Sequence, residues 1–472
     1  MNSFTSEDLP VAVIGAGPVG LAAAAHLVSR GIEPLVLESG PSVGAALLDW
    51  GHVRVFSPWR YNIDPVAGQL LEDAGWLPPQ PDALPTGREI VRDYLAPLAA
   101  LPQIAAHLSL GAKVTAISRL GHDKMSSHGR DAAPFVLHIA DGSGKRRVLA
   151  RAVIDASGTW TKPNPIGIDG LPVPGERAAN DLIAYGIPDV LGTSRHTYAG
   201  RRVLVVGSGH SAINAALDLL HLQDDAPETQ IFWALRGNNL GRLAGGGLND
   251  QLPERGALGL AALRALEEGR ITLLAPFATE SIAKSPRGLF IAARLANKPI
   301  DLDVDRIIVA TGLRPDLTFL SELRVALDPA IEAPPALAPL IDPNVHSCGT
   351  VPPHGVDELA HPEKNFFIVG SKAYGRAPTF LMATGYEQVR SIVAELAGDP
   401  VAARQVQLVL PETGVCSTDF AEPASQCCGG PAPQHVDACC MLDAASKSEG
   451  KAGCGCSGQE AAPAALALAQ DR

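Results

Sequence analysis

Three glycines near the N-terminus are spaced as a phosphate-binding turn requires. Gly15, Gly17 and Gly20 lie in GAGPVG, which follows the apolar run Val11 to Ile14 and precedes an alanine-rich stretch. In such a turn the first glycine permits a sharp reversal, the second lets the main chain approach a pyrophosphate, and the third allows close helix packing. Pro18 lies within the same turn. The exposed N–H groups and the helix dipole favour the negative charge of a dinucleotide.

An acidic residue after the next strand supports this interpretation. Glu38 directly follows Pro34 to Leu37, a second predicted strand. A carboxylate at this position accepts hydrogen bonds from the ribose hydroxyls of a bound dinucleotide. Strand, glycine turn, helix and acidic strand end together predict a dinucleotide-binding unit.

A second glycine turn follows the apolar run RVLVV. It has the sequence GSGHSA, and its candidate cofactor contacts are Gly207, Gly209, His210 and Ser211. The last position is Ala212 instead of glycine, a replacement that the dinucleotide fingerprint tolerates. The chain is therefore predicted to contain two nucleotide-binding units.

The two units differ at the end of their second strand. Arg236, after the predicted strand Ile231 to Leu235, stands where the first unit has Glu38. A carboxylate would repel a 2′-phosphate, whereas a guanidinium group can bind it through two hydrogen bonds. Arginine instead of glutamate at this position favours binding of NADPH over NADH. The alternative is an ordinary solvated arginine in a loop.

Two nucleotide sites indicate electron transfer from a nicotinamide to a flavin. We expect the chain to return to an FAD unit through Asn365 to Gly370 and a helix that carries Thr384. Two similar tripeptides, one ending in Gly158 and the other in Thr311-Gly312, fall where the chain would pass between the units. These residues complete the predicted cofactor contacts for FAD and NADPH.

The elements that position these residues alternate strands with helices. We therefore predict an α/β fold with two Rossmann-like dinucleotide-binding domains, the NADPH domain being inserted in the FAD domain. Segments near Ala112 to Ile117, Phe135 to Ile139 and Arg147 to Ile154 are predicted to form a β-meander. The predicted domain ranges are 1–195 and 313–400 for the FAD domain, 196–312 for the NADPH domain, and 401–472 for a flexible cysteine-rich tail.

Composition narrows the class of partner. The 472 residues carry a formal charge of −12 that is spread without a basic block, which argues against nucleic acid or an anionic membrane surface as a partner. No apolar run approaches the length of about eighteen residues that a membrane span needs, and the N-terminus lacks the features of a signal peptide. We expect a cytoplasmic protein that acts on a small molecule.

Thiols are concentrated at the C-terminal end. Seven of the eight cysteines follow residue 415, and their spacing is too irregular for a zinc knuckle. Closely spaced thiolates suit soft ions such as trivalent arsenic, antimony, mercury or copper(I). A weaker candidate receiving site is His346, Cys348 and His354. The candidate soft-ion ligands in the tail are Cys427, Cys428, Cys439, Cys440, Cys454 and Cys456.

The motifs GAGPVG, DASGTWTKPNPIG, RRVLVVGSGHSA, IIVATGLRPD and NFFIVGS occur in the order found in group B flavoprotein monooxygenases. The chain resembles that family over roughly residues 10 to 395. The resemblance implies that NADPH reduces FAD and that dioxygen then forms a C4a-hydroperoxyflavin, which needs a dry pocket. By the same resemblance Asn62 would hydrogen-bond the hydroperoxide and Trp59 would wall the pocket. Ordinary loop packing is the alternative for both residues.

The cysteine tail on this core resembles flavin monooxygenases of arsenic-resistance operons. That resemblance implies oxidation of trivalent organoarsenicals to the pentavalent form, with dioxygen as the second substrate. Three alternatives stay open: an N- or S-oxygenase of an organic metabolite, an FAD- and NADPH-dependent reductase of a soft metal, and a metal-binding module. Disulfide reduction is disfavoured because no CxxC or CxxxxC pair precedes the tail.

Overall fold

The structure, a computed structural model, describes residues 8–238, 240, 243, 252–343, 351–377 and 380–408. Its strands are β1 (Val11–Ile14), β2 (Pro34–Leu37), β3 (Leu108–Ser109), β4 (Lys113–Arg119), β5 (Phe135–Asp141), β6 (Gly144–Ala150), β7 (Ala152–Asp155), β8 (Ile183–Tyr185), β9 (Arg202–Val206), β10 (Gln230–Ala234), β11 (Thr272–Leu274), β12 (Phe277–Ser285), β13 (Gly288–Leu295), β14 (Lys298–Val304), β15 (Arg306–Val309) and β16 (Phe366–Ile368). Its α-helices are α1 (Pro18–Ser29), α2 (Ala45–Asp49), α3 (Pro65–Asp73), α4 (Gly87–Ile90), α5 (Ala96–Ala100), α6 (Pro102–Ala105), α7 (Arg195–Tyr198), α8 (His210–Asp225), α9 (Pro253–Glu267), α10 (Ala338–Ile341), α11 (Met382–Leu396) and α12 (Pro400–Arg404).

The first domain is built on a parallel sheet with the strand order β16-β7-β1-β2-β3. β1 and β16 are buried along their whole length, as expected for parallel strands covered on both faces. The alanines Ala22–Ala25 of α1 are fully buried. Because β16 pairs with β7, a late segment of the chain completes the domain that the first strand begins.

The second domain repeats this arrangement. Its parallel sheet has the order β11-β10-β9-β15-β8, with α8 connecting β9 to β10. β8 pairs with β15, so Ile183–Tyr185 joins this sheet although it precedes the predicted boundary at residue 196. Two parallel sheets with crossover helices confirm the predicted fold class.

Each domain also carries a three-stranded antiparallel sheet, one with the order β4-β5-β6 and the other β12-β13-β14. The predicted β-rich segment near Arg147 to Ile154 belongs to the β-meander only in part, because the chain divides it between two sheets. β6 ends the antiparallel sheet at Ala150 and is largely exposed, whereas β7 is wholly buried in the parallel sheet. The change from an exposed to a buried pattern marks the break.

Two chain segments connect the domains and pair with each other. We call them the hinge strands, residues 162–165 and 311–314. The Asn164 N–H donates to the Gly312 oxygen at 2.9 Å, and the Arg314 N–H donates to the Lys162 oxygen at 2.9 Å. Across the described part of the chain, no helix combines the length and apolar character that crossing a bilayer requires.

Candidate functional site

The first glycine turn leaves no room for side chains at two of its positions. Gly15 has a φ of +98°, and a Cβ added there would lie 2.7 Å from the Ala156 oxygen. A Cβ on Gly20 would lie 2.0 Å from the Gly15 oxygen. α1 therefore packs directly on the turn that precedes it, which requires glycine at position 20.

Gly17 faces open space. No described atom lies within 4 Å of the position that its Cβ would occupy. α1 begins here with Pro18 as its first residue, and no side chain among the described residues caps its N-terminus. Free N–H groups at a helix N-terminus bind phosphate oxygens. The turn therefore fits the pyrophosphate of a dinucleotide such as FAD.

Glu38 is buried at the edge of this turn. Its Oε2 accepts a hydrogen bond from the Ala16 N–H at 2.7 Å, and its Oε1 accepts one from the Gly40 N–H at 2.6 Å. The carboxylate thus fixes the turn through the main chain. A contact with a ribose hydroxyl, as predicted from the sequence, would use the remaining lone pairs of the same two oxygens.

Two further glycines lie at the carboxyl ends of neighbouring strands. Gly158 follows β7 with a φ of +67°, and Gly370 follows β16 with a φ of +70°. The Gly370 N–H donates to Gln388 Oε1 at 2.7 Å. Thr384 and Gln388 are four residues apart on α11 and both are buried, so one face of this helix lies against the return turn.

Sequence analysis missed a buried ion pair beside these glycines. Lys372 Nζ lies 2.7 Å from Asp155 Oδ2 and 2.9 Å from Ser157 Oγ, and neither charged side chain is exposed. The pair ties the turn after β7 to the turn after β16. The available signal was a charged residue at the end of one apolar strand, Asp155, and another a few residues beyond the end of a second, Lys372; its meaning depended on knowing that β7 and β16 are neighbours.

The second glycine turn has the same backbone geometry. Gly207 has a φ of +132°, and its Cβ would lie 2.2 Å from the Ala310 oxygen. Gly209 has no described atom within 4 Å of its Cβ position, and no described side chain caps α8. Ala212, at the position equivalent to Gly20, is fully buried. This turn also fits a pyrophosphate.

Side chains around the second turn are exposed. Ser211 lies in the first turn of α8, and Arg236 follows the carboxyl end of β10. The His210 ring lies 5.1 Å from the Phe56 ring, centroid to centroid. Phe56 lies in the segment between β2 and β3, so the first domain touches the second at its nucleotide-binding turn.

Thr311 and Gly312 lie in a hinge strand. The Thr311 hydroxyl donates to the main-chain oxygens of Asn164 and Pro165, at 2.9 and 3.2 Å. Asn164 Nδ2 in turn donates to the Thr311 oxygen at 3.2 Å. The Thr311 hydroxyl is therefore bonded across the hinge, and the predicted cofactor contact of Thr311 and Gly312 stays a prediction.

Asn62 and Trp59 are both buried. Asn62 Nδ2 donates to the oxygens of Ser57 and Pro58, and its Oδ1 accepts from Ser57 Oγ at 2.9 Å. Both amide hydrogens are used within the loop, so they are not available to a hydroperoxide in this conformation. Trp59 packs in the core of the first domain. For both residues the structure agrees with the loop-packing alternative.

His354 has no free ring nitrogen. Its Nδ1 contacts the Pro352 oxygen at 3.0 Å and its Nε2 contacts Gln388 Nε2 at 2.8 Å, which requires the proton to be on Nδ1. Burial lowers the pKa of this imidazole. His354 therefore supports Gln388 and, through it, Gly370, and does not offer a ligand atom. His346 and Cys348 lie outside the described residues.

The candidate tail ligands Cys427, Cys428, Cys439, Cys440, Cys454 and Cys456 also lie outside the described residues. Within the described ranges, no group of three or more histidine, aspartate or glutamate side chains is arranged to hold a metal ion.

A cleft of about 280 Å³ lies between the domains. Its walls come from segments that follow the carboxyl ends of strands in both sheets: Trp160 after β7, Ile187 and Pro188 after β8, and Leu313 after β15. Ligands of open α/β sheets bind outside the carboxyl ends of the strands. The cleft therefore lies where the two predicted cofactors would meet.

Hydrogen bonds and close contacts fix the cleft walls. Trp160 Nε1 donates to Asp49 Oδ2 at 2.8 Å, and a Cβ on Gly186 would lie 2.9 Å from Cη2 of Trp160. The Tyr185 hydroxyl donates to Glu176 Oε1 at 2.7 Å. Burial, together with this bond to a carboxylate, raises the pKa of Tyr185. The cleft is thus pre-formed, with an aromatic face and one carboxylate at its edge.

Comparison with known proteins agrees with this geometry. The family model described as pyridine nucleotide-disulphide oxidoreductase matches residues 9–361. The chain belongs to that family. It is accordingly an oxidoreductase of an FAD-binding family, and this confirms the expectation of an enzyme.

Individual relatives are distant. A ferredoxin–NADP reductase of Thermus thermophilus is 24% identical over 353 residues, which are 74% of this chain and 86% of that protein. The indole-3-pyruvate monooxygenase YUCCA1 of Oryza sativa is 27% identical over 220 residues, 44% of each chain. The solved structure of a bacillithiol disulfide reductase from Bacillus cereus has a TM-score of 0.60 at 20% identity, covering 83% of this chain and 99% of its own.

Proposed function

We propose that this oxidoreductase is an NADPH- and FAD-dependent monooxygenase that oxidises a soft nucleophile, a trivalent organoarsenical above all. The observation that carries the proposal is the interdomain cleft, which faces the carboxyl ends of both sheets. Bound FAD would accept two electrons from NADPH and pass them to dioxygen. The chain's own residues would bind the two pyrophosphates, hold the hinge and present a cleft with an aromatic face between the two sites.

The choice of electron acceptor rests on the cysteines. The sequence has no cysteine before Cys348, so the two cofactor-binding turns and the cleft contain no dithiol that could take electrons from a flavin. Dioxygen is an acceptor that needs no such group. The partial similarity to a monooxygenase sequence is consistent with this choice.

The choice of substrate rests on the tail. Adjacent thiolates bind trivalent arsenic, and oxidation to the pentavalent state uses the lone pair on arsenic to form the new bond to oxygen, which weakens the affinity of arsenic for thiolates. The balanced reaction is RAs(OH)₂ + O₂ + NADPH + H⁺ → RAsO(OH)₂ + NADP⁺ + H₂O. One oxygen atom forms the new arsenic–oxygen bond and the other leaves as water.

The test is turnover of the FAD-loaded protein with NADPH, dioxygen and phenylarsonous acid. We expect NADPH oxidation, followed at 340 nm, to be stimulated by the arsenical and matched by phenylarsonate in equal amount, and we expect no product without oxygen. Flavin reduction by NADPH without any change on adding arsenicals would refute the substrate assignment. Arsenical-dependent NADPH oxidation that persists without oxygen would favour a metal reductase.

The role of the tail is tested in the full-length chain by replacing Cys427, Cys428, Cys439, Cys440, Cys454 and Cys456 with serine. If the tail delivers substrate, KM for the arsenical rises about tenfold while kcat and flavin reduction are unchanged. An unchanged KM would remove the tail from the proposal. Loss of flavin reduction would contradict the assignment of electron transfer to the two described domains alone.

A further inference from the structure

The interdomain cleft has an asymmetric charge pattern. Among its described lining residues, Asp49 is the charged one, whereas Trp160, Ile187 and Leu313 present apolar surface. Asp49 Oδ2 accepts the indole hydrogen of Trp160 at 2.8 Å. This neutral donor orients the carboxylate without cancelling its charge.

The two cations of the hinge strands, Lys162 and Arg314, are directed to carboxylates other than Asp49. Lys162, in one hinge strand, lies 3.8 Å from Asp316. Arg314, in the other hinge strand, pairs with Glu332. Neither of these two cations is paired with Asp49, which remains the charged residue among the described lining residues of the cleft.

We propose that Asp49 is a specificity-determining residue that makes the cleft accept uncharged molecules and reject oxyanions. The inference rests on the proposed function. A trivalent arsenical RAs(OH)₂ is uncharged near neutral pH, whereas the arsonic acid RAsO(OH)₂ has lost a proton. The substrate can thus enter a partly apolar cleft with a carboxylate at its edge, and oxidation creates a product that the same carboxylate repels. Asp49 therefore links oxidation to product release.

The charge effect is measured with a pair of probes that differ in charge and hardly in shape. Benzenesulfonamide is neutral and benzenesulfonate is an anion, and neither reacts with thiols or with the cofactors. Their Kd values are measured calorimetrically on the FAD-loaded full-length protein without NADPH. We expect the anion to bind about tenfold more weakly than the amide, the effect of one partly exposed carboxylate close to the ligand.

Asp49→Asn is the decisive variant, because its side-chain oxygen can still accept the indole hydrogen of Trp160. The ratio of the two Kd values should fall at least threefold in this variant. Asp73→Asn, a change at the end of α3 outside the cleft, should leave the ratio unchanged. A fall of less than threefold in Asp49→Asn, or the absence of binding by both probes to the unaltered protein, would overturn the inference.

Two further measurements locate and extend the effect. Ile187→Trp fills the cleft and should abolish binding of both probes, and unchanged binding would place them elsewhere and overturn the inference.

In turnover, phenylarsonate should inhibit Asp49→Asn at several-fold lower concentration than the unaltered enzyme, whereas equal inhibition would contradict product repulsion. Because probe binding needs no turnover, failure of arsenical oxidation with charge selection intact would refute the proposed function alone.

Discussion

The two glycine turns share a backbone and differ in their surroundings. Gly15 and Gly207 are both pressed against the main-chain oxygen of an alanine, while Gly17 and Gly209 both face open space. The first turn is largely buried and tied to Glu38, whereas the residues around Gly209 are exposed. The comparison teaches that the spacing of glycines sets the phosphate-binding geometry, and that the neighbours decide how firmly each cofactor is held. We expect FAD to be resident and NADPH to exchange.

The largest predicted effect concerns the third position of each turn. Gly20→Ala places a Cβ 2.0 Å from the Gly15 oxygen, so we expect the free energy of unfolding to fall by about 3 kcal/mol. The reciprocal change Ala212→Gly opens space in α8 and should cost about 1 kcal/mol. Urea unfolding followed by circular dichroism measures both. Equal losses would show that the two helices pack alike on their turns.

Substitution of the second glycine in each turn should weaken cofactor binding without affecting folding. Gly17→Ala and Gly209→Ala add a methyl group where no described atom lies within 4 Å, so thermal stability of the cofactor-free protein should hardly change. The methyl group should obstruct a pyrophosphate and weaken its binding about tenfold or more. Gly17→Ala should raise the Kd for FAD, and Gly209→Ala should raise KM for NADPH while FAD stays bound. Any other distribution of losses would reverse the assignment of the two turns.

Substitution of Arg236 tests whether this residue makes the protein prefer NADPH to NADH. If the exposed Arg236 binds a 2′-phosphate, Arg236→Gln should raise KM for NADPH about tenfold and leave KM for NADH within about twofold. Arg201→Gln, an exposed arginine elsewhere in the same domain, is the matched control. A parallel change in both KM values would indicate that Arg236 does not read the 2′-phosphate.

The smallest predicted effect depends on pH. Burial raises the pKa of Asp218, on α8, to about 6, with a smaller opposing effect of His221, whereas α1 contains no acidic residue. The folded state favours the protonated carboxyl, so the unfolding free energy should fall as pH rises from about 4 to about 6. Asp218→Asn should remove this fall and gain about 1 kcal/mol relative to the unaltered protein at pH 7. Asp225→Asn, an exposed control on the same helix, should not.

Sequence reasoning was most successful where one short segment carries its own geometry. The strand before each glycine turn, the turn itself and the following helix could be predicted because apolar runs and glycine spacing are local signals. Gly17 and Gly209 have the open space that the motif predicts. The division of Arg147 to Ile154 between two sheets could not be predicted, because it depends on which distant strands are neighbours.

The hydrogen bonds and ion pairs that hold several of these residues could not be predicted from local sequence. Lys372 and Asp155 are 217 residues apart in sequence and 2.7 Å apart in the structure, and no local pattern links them. Thr311 was assigned to a cofactor because ATG resembles ASG, yet its hydroxyl is bonded to the opposite hinge strand. Asn62 was assigned by resemblance, although its amide hydrogens are held within its own loop.

The paired hinge strands have a practical consequence for protein engineering. The chain enters and leaves the second domain at adjacent points, which are joined by the hydrogen bond between Asn164 and Gly312. That domain is therefore a continuous segment inserted into the first domain. An exchange of the segment between these two residues would preserve both ends of the first domain. Chimaeras with a domain of different nucleotide preference could then change the electron donor while keeping the original flavin site.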